Sequence, residues 1–343
     1  MNKFDFRTEM FKFVPDLTSS LHALYLGNST VYHYTSPEGL QKIIEDKNFL
    51  FSDSDFLNDK DERKDFYKLL NEILTKDADS ETREIRNVLL KISNNNLSDN
   101  NEGVMAQNKE RFRFFVFSCS ENSDNLLLWN NYTKNQNKQG YNIEIPLNEL
   151  GSIIHSFEKN LRPVVEFTKT QEHSSGWFTV SPMNGKVIYE QNQKCEILQK
   201  IVQRCSNFWN SHCKEQWQKE LFTQQLDVAL AKLSLFFKND GYAGEQEYRF
   251  VLATRNQELS EYADEQERTE QNKSKESKYG YRLVEGIPIP YIKVNFSSQS
   301  AMIESVTISF GYKSDISVSA VEYLLHTNHF MPRVHRSKIP LRY

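Results

Sequence analysis

Residues 31–52 read VYHYTSPEGLQKIIEDKNFLFS, and this stretch predicts a strand, a helix and a second strand in direct succession. Val31–Tyr34 combines aromatic and β-branched residues, which favour strands. Ser36–Pro37 supplies an N-cap and a first helical position, and Phe49–Ser52 is again typical of a strand. His33 therefore lies within a strand, shortly before the turn into a capped helix.

Further strand patterns recur along the chain without the regular spacing of βαβ units. They fall at residues 112–118, 141–145, 247–253, 292–296, 306–310 and 332–335. Strands separated irregularly by helices predict an α+β fold with a mixed, mainly antiparallel sheet and flanking helices.

Segments of distinct composition complete the predicted organisation. Residues 1–30 form a lead-in, and residues 31–343 form one domain. Within that domain, residues 191–239 carry a helical pattern with many aromatic residues, which we interpret as two helices that form an insertion or a subdomain. Residues 93–108 are rich in Asn and Ser and predict an exposed loop. Residues 254–279 are crowded with Glu, Gln, Lys and Ser, so we expect a mobile loop there.

Composition restricts the classes of function. The net charge is −4 and the sequence pI is about 6.1, so no global field attracts nucleic acid or acidic membranes, although a local basic groove remains possible. No signal-peptide pattern and no run of eighteen apolar residues occurs, so we expect no membrane partner. The four cysteines are far apart, which fits reduced thiols in a cytoplasmic protein.

His33 and the pair Glu245 and Glu247 are the first candidate site residues. An isolated strand His most often bonds a backbone carbonyl, but its ring can also bind a ligand hydroxyl. The segment Glu245–Arg249 reads EQEYR at the start of a predicted strand, where a period of two places both carboxylates on one face. Two acids on one face repel unless a partner compensates. They form either a solvated edge paired with Arg249 or an electrostatic stabiliser for a developing cation.

Trp129 and Tyr132 are a second candidate, because residues three apart on a helix share a face. Core packing is the usual reason for this spacing, and a stacking platform for a planar ring is the alternative. Six polar residues form an acidic cluster: Asp53, Asp55, Asn58, Asp59, Asp61 and Glu62. The cluster does not fit the EF-hand pattern, because Leu57 occupies a ligand position. We predict no metal site.

Several segments, taken in order, resemble a bacterial family known as a domain of unknown function and often encoded near mobile elements. They are VYHYTSPEGLQKIIEDKNFLFS, LNDKDE, FVFSCSENSDNLLLWNNYT, GEQEYRFV and VTISFGYKSDISVSAVEYLL, followed by VHRSKIP. The first segment is also similar to the opening motif of the diphtheria-toxin-like and poly-ADP-ribose-polymerase-like ADP-ribosyltransferases. His33-Tyr34-Thr35 stands where those enzymes have His, a small residue and Thr, so the bulk of Tyr34 departs from their pattern.

The resemblance implies a split sheet, NAD as co-substrate and a role for each candidate residue. His33 would bond the adenosine-side ribose, with Tyr34 and Thr35 in the same cofactor-binding motif. Glu247 would stabilise the oxocarbenium-like transition state, and Glu245 would position or deprotonate the acceptor.

The middle of the chain supplies the remaining implied cofactor contacts. Ser118, Ser120, Trp129 and Tyr132 match the segment that stacks on nicotinamide. Arg249 would orient the carboxylates or bind the pyrophosphate.

Three hypotheses follow from these residues. The first is an ADP-ribosyltransferase that acts on a nucleic acid or protein acceptor, as a toxin or an effector of phage defence. The second is a nuclease-like effector that uses the acidic cluster and a divalent metal. The third is a nucleotide sensor with a catalytically silent site. A chelator separates the first two, because transfer from NAD needs no metal.

Overall fold

The structure is a computed structural model that describes most of the chain. It covers residues 5–10, 12–13, 17, 30–57, 62–76, 82–98, 112–133, 139–161, 183–255, 279–284, 286–297, 302–309 and 314–339. The strands are β1 (Thr30–Thr35), β2 (Asn48–Asp53), β3 (Phe112–Ser120), β4 (Tyr141–Pro146), β5 (Met183–Lys186), β6 (Glu247–Arg255), β7 (Tyr279–Val284), β8 (Ile287–Asn295), β9 (Ser305–Ile308) and β10 (Arg333–Arg336). The helices are α1 (Pro37–Asp46), α2 (Glu62–Lys76), α3 (Arg83–Leu97), α4 (Leu126–Thr133), α5 (Leu147–Leu161), α6 (Gln191–His212), α7 (Gln216–Ser234) and α8 (Ser314–Thr327).

All ten described strands join one open sheet. Its main path runs β10-β9-β4-β1-β3-β2-β8-β7, with β6 and β5 attached through β3. The pairs are antiparallel except for β9 and β10, which are parallel. The prediction of a mixed α+β fold with a mainly antiparallel sheet is therefore confirmed.

The central strands separate two hydrophobic cores, because successive side chains of a strand point to opposite faces. Phe114 and Val116 of β3 pack into a core formed with α2, α3, α6 and α7. Phe115 and Phe117 pack into a second core formed with α1, α5 and α8. The result is a three-layer arrangement of helices, sheet and helices.

The sheet forks at β3. Strand β6 pairs with β3 along its full length, from Phe112 to Ser120. The other edge of β3 is shared: β1 pairs there at Ser120, and β2 pairs at Phe115 and Val116. Within the described sheet, Phe117–Cys119 therefore lies between two diverging strands on that edge, and we refer to this region as the fork.

The region 191–239 contains the two predicted helices, α6 and α7. The lead-in packs against them, since Phe6 lies 5.9 Å from Phe208 and 5.3 Å from Trp217, measured between ring centroids. Residues 5–17 are helical where they are described. The lead-in and these two helices thus share one hydrophobic core.

Two loop predictions have different outcomes. The prediction of a loop at residues 93–108 is wrong at its start, because α3 continues to Leu97. Ser93 is buried in this helix, and its hydroxyl donates a hydrogen bond to Tyr67 O at 2.8 Å. The predicted mobile loop at 254–279 lies largely outside the described residues, and its two ends belong to β6 and β7. None of the helices in the described part of the chain is long and apolar enough to cross a membrane.

Candidate functional site

The two candidate acids converge on one lysine. Glu245 ends a 3₁₀ turn, Asp240–Glu245, and Glu247 opens β6. Gln246 between them has a φ of 45°, so the expectation of a continuous strand from residue 245 is wrong. Lys238 Nζ nevertheless lies 2.7 Å from Glu245 Oε2 and 3.2 Å from Glu247 Oε2. This cation compensates the repulsion between the two carboxylates.

Arg249 holds the carboxylate of Glu247 from the same face of β6. Arg249 Nε donates to Oε1 at 2.8 Å, and Nη2 donates to Oε2 at 2.9 Å. Burial by itself would raise the pKa of Glu247, but Arg249, Lys238 and a hydrogen bond from the Ser118 side chain outweigh it and lower that pKa to about 2. Glu247 is therefore ionised at neutral pH, although it is buried.

The two serines of β3 connect this cluster to the sheet. Ser120 Oγ donates a hydrogen bond to Glu245 O at 2.7 Å, which fixes the 3₁₀ turn against β3. Ser118 is half-buried and pairs in register with Arg249. Its hydroxyl therefore lies on the face of the sheet that carries the Glu247 carboxylate.

His33 occupies the fork. Its Nδ1 lies 3.0 Å from Ser118 O, and a carbonyl oxygen can only accept, so Nδ1 carries the proton. The ring stacks on Phe117 with centroids 4.4 Å apart. Burial lowers the pKa of His33 to about 4, and the nearby charge of Arg282 acts in the same direction. The imidazole is thus neutral at pH 7, and Nε2 is a hydrogen-bond acceptor.

His33 and Glu247 therefore meet at a single residue. The backbone of Ser118 accepts from His33, and its side chain bonds Glu247. The sequence placed these groups in two distant segments, and in the structure both contact Ser118, His33 from the side of Phe117 and Glu247 from the opposite face of the sheet.

Trp129, one of the two rings of the predicted nicotinamide platform, is not accessible. Trp129 has an exposed fraction of 0%, packs against Tyr34 with ring centroids 4.7 Å apart and donates through Nε1 to Asp124 Oδ1 at 2.6 Å. The Tyr34 hydroxyl donates to Asn122 O at 2.8 Å and accepts from Asn125 N at 2.9 Å. Both rings therefore fix the loop between β3 and α4. The side chain of Tyr132 lies outside the described residues.

Thr35 and Arg249 are also interior. Thr35 is buried where β1 turns into α1, and its Oγ1 packs closely against Gly39. Arg249 is buried, and besides Glu247 it donates through Nη1 to Leu235 O. Because its guanidinium points into the protein, Arg249 orients the carboxylate, and it does not offer a surface for a pyrophosphate.

Sequence reasoning missed Lys238 and Arg282. Lys238 lies after α7 and is 10% exposed at its side chain. Arg282 lies on β7 and donates through Nη2 to Ser52 Oγ at 2.9 Å. The two acids of the segment Glu245–Glu247 indicated that a cation must lie nearby. Nothing in the sequence identified the residue that supplies this cation.

A cavity of about 400 Å³ lies beside Lys238, the partner of Glu245 and Glu247. It is bounded by α2 and by residues 189–194 and 237–240. Lys238 and Tyr189 contribute to its wall, and Tyr189 OH accepts a hydrogen bond from Glu247 N at 3.0 Å. His33 and Ser118 do not line it. The cavity is thus separate from the fork.

No group of three or more His, Cys, Asp or Glu side chains able to hold a metal occurs within the described ranges. In the acidic cluster, Asp53 accepts from Asp55 N at 3.0 Å and lies 3.3 Å from Arg113 Nε. Asp55 pairs with Arg63 at 3.1 Å. These two carboxylates are therefore engaged by protein groups.

Comparison with known proteins gives one match. Residues 128–250 are similar to the family described as "Protein of unknown function (DUF2971)". The matched segment includes Glu245, Glu247 and Arg249, covers less than half of the chain and does not reach His33. No curated protein and no solved structure matches. The comparisons thus support the resemblance to a family of unknown function and give no link to the ADP-ribosyltransferases.

Proposed function

We propose that the chain is an NAD-dependent ADP-ribosyltransferase that modifies a macromolecular acceptor, a nucleic acid or a protein, as a toxin or an effector of phage defence. The observation that carries the proposal is the convergence of His33 and Glu247 on Ser118, at the fork of the sheet. The finer fold assignment, a split sheet of the ADP-ribosyltransferase type, belongs to the same proposal and is supported by that fork.

The protonation states of the two groups fit the two halves of a dinucleotide. The neutral His33 offers Nε2 as an acceptor, which suits the hydroxyl of a ribose. Glu247 is ionised, and of the about four acceptor positions of a carboxylate Arg249 fills two, Lys238 one and the Ser118 hydroxyl one. A ribose hydroxyl would therefore take the place of the Ser118 bond. In this arrangement His33 binds the adenosine-side ribose and Glu247 the nicotinamide-side ribose.

Glu247 then acts through its fixed negative charge. As the bond between C1′ of the ribose and the nicotinamide nitrogen breaks, nicotinamide leaves with the bonding electron pair and positive charge develops on the ribose. A buried carboxylate that is ionised at neutral pH stabilises that charge. A nucleophilic atom of the acceptor forms the new bond to C1′, and its proton passes to Glu245 or to water.

A silent nucleotide-binding site is the second candidate, and one observation favours it. Arg249 occupies both oxygens of Glu247 in a bidentate pair, which is also how a purely structural buried carboxylate is held. In that case His33 and Glu247 bind a nucleotide and no bond breaks.

The experiment is an incubation of the purified protein with NAD labelled in the adenosine half, a cell lysate and excess chelator. Wild type is expected to transfer label to a macromolecular fraction, and nuclease or protease treatment then identifies the acceptor. Glu247→Gln should reduce labelling by roughly 10²–10³-fold. The control is Glu196→Gln, which changes an exposed acid of α6 and should label normally. Binding of NAD without labelling or nicotinamide release would instead support the silent site.

A further inference from the structure

A nucleotide site at the fork needs a cation for its phosphates, and the residue expected from sequence is not available. Arg249 is buried and committed to Glu247 and Leu235. Lys238 is held between two carboxylates. A phosphate-binding group must therefore come from another part of the fork.

Arg282 reaches the fork from the outer strand of the sheet. It lies on β7, which pairs with β8, and β8 pairs with β2. Its side chain must cross β8 to donate to Ser52 Oγ of β2 at 2.9 Å. Ser52 pairs in register with Val116 at the point where β2 leaves β3. The guanidinium is thus placed over one arm of the fork, while the residue itself is exposed to solvent.

His33 stands on β1, the opposite arm of the fork. The charge of Arg282 helps to keep His33 in its neutral form. The fork therefore presents an uncharged acceptor on β1 and a cation on the β2 arm. A ligand that matches both carries a hydroxyl next to an anion, as a ribose linked to a phosphate does.

We propose that Arg282 binds the phosphate groups of a nucleoside diphosphate, the part shared by ADP, ADP-ribose and NAD, across the fork from His33. This inference rests on the proposed function for the choice of nucleotide, but the phosphate contact is independent of any bond breaking. Arg282 is a guanidinium with several donors in one plane, which suits two phosphate oxygens at once, and Ser52 holds it in position.

The test compares binding of ADP and adenosine by calorimetry at fixed ionic strength. For Arg282→Gln, the Kd of ADP is expected to rise about 10- to 100-fold, the range for a lost hydrogen bond to a charged group. Adenosine, which has no phosphate, should bind wild type and variant within about twofold of each other. The ADP affinity of Arg282→Lys should fall between those of wild type and Arg282→Gln, because lysine keeps the charge and loses the planar fork of donors.

Arg333→Gln is the matched control, since Arg333 is an exposed arginine on β10, at the other end of the sheet. It should leave ADP affinity unchanged, and thermal unfolding should show that both variants are folded. Unchanged ADP binding in Arg282→Gln, or an equal loss for adenosine, overturns the assignment of Arg282 even if the protein transfers ADP-ribose. An Arg282-dependent affinity for ADP without nicotinamide release from NAD upholds it and overturns the proposed function. Absence of ADP binding by wild type overturns both.

Discussion

The imidazole of His33 and the carboxylate of Glu247 contact the same residue, Ser118, one at its carbonyl oxygen and the other at its hydroxyl. The contact exists because β1 and β2 share one edge of β3 and leave Ser118 between them. It connects a neutral acceptor and an ionised carboxylate through one residue of β3.

His33→Phe should weaken NAD binding more than it affects stability. Phenylalanine retains the stacking on Phe117 but removes both ring nitrogens, so the expected loss is about 1–3 kcal/mol of binding free energy. Calorimetry with NAD measures it. Tyr32→Phe, one residue earlier on the same strand, is the control and should bind NAD as wild type does. Equal affinity for His33→Phe and wild type would remove His33 from the site.

Lys238→Met should destabilise the protein because it leaves Glu245 and Glu247 without their shared cation. We expect a loss of roughly 1–3 kcal/mol in the free energy of unfolding, measured with urea. The pKa of Glu247 should rise, since Lys238 is one of the charges that lower it.

Adding Glu245→Gln to Lys238→Met tests whether the three groups form one unit. The second change removes one of the two repelling acids, so the double variant should recover part of the lost stability. If the losses of unfolding free energy of the two single variants simply add in the double variant, the two acids do not depend on Lys238.

Asp227→Asn should stabilise the protein at neutral pH. Burial raises the pKa of Asp227 to about 6, while Asn96 donates a hydrogen bond to its Oδ1 at 3.4 Å. Because the folded-state pKa lies above the unfolded value, the contribution of Asp227 is favourable below about pH 4 and is lost as pH rises through 6. The variant should exceed wild type by on the order of 3 kcal/mol at pH 8 and match it near pH 4. Asp46→Asn, at an exposed acid of α1, should show no such difference.

Gly39→Ala should destabilise the turn from β1 into α1, although alanine is the better helix former. A Cβ at this position would lie 2.0 Å from Thr35 Oγ1, so either the buried Thr35 side chain must leave its rotamer or the strand and the helix must separate. We expect a loss of about 1–3 kcal/mol in thermal or urea unfolding. The double variant Thr35→Ala/Gly39→Ala removes the clashing hydroxyl and should recover part of the lost stability. If it recovers none, the contact with Thr35 is not the cause of the loss.

Local chemistry made the start of the domain predictable. Ser36 accepts from Gly39 N at 3.1 Å as an N-cap, and Pro37 opens α1, as the sequence pattern required. The strand and helix on either side are set by residues within a few positions of each other. Predictions of this kind depend on short-range interactions and were correct.

The site was harder to predict because tertiary contacts decide it. The spacing of Trp129 and Tyr132 is the same for a core residue and for a stacking platform, and Trp129 proved to be buried. The positive φ of Gln246 moves Glu245 off the strand, which a period of two could not reveal. Lys238 reaches the site from the segment after α7 and Arg282 from β7, so only the assembled fold identifies them.

The rate of nicotinamide release from NAD, followed by chromatography for wild type and Glu247→Gln, tests the central claim most directly. We predict release by wild type, and a rate at least about 10²-fold lower for a variant that remains folded and still binds NAD. Release at the wild-type rate by Glu247→Gln, or NAD bound by wild type without any release, would contradict the account.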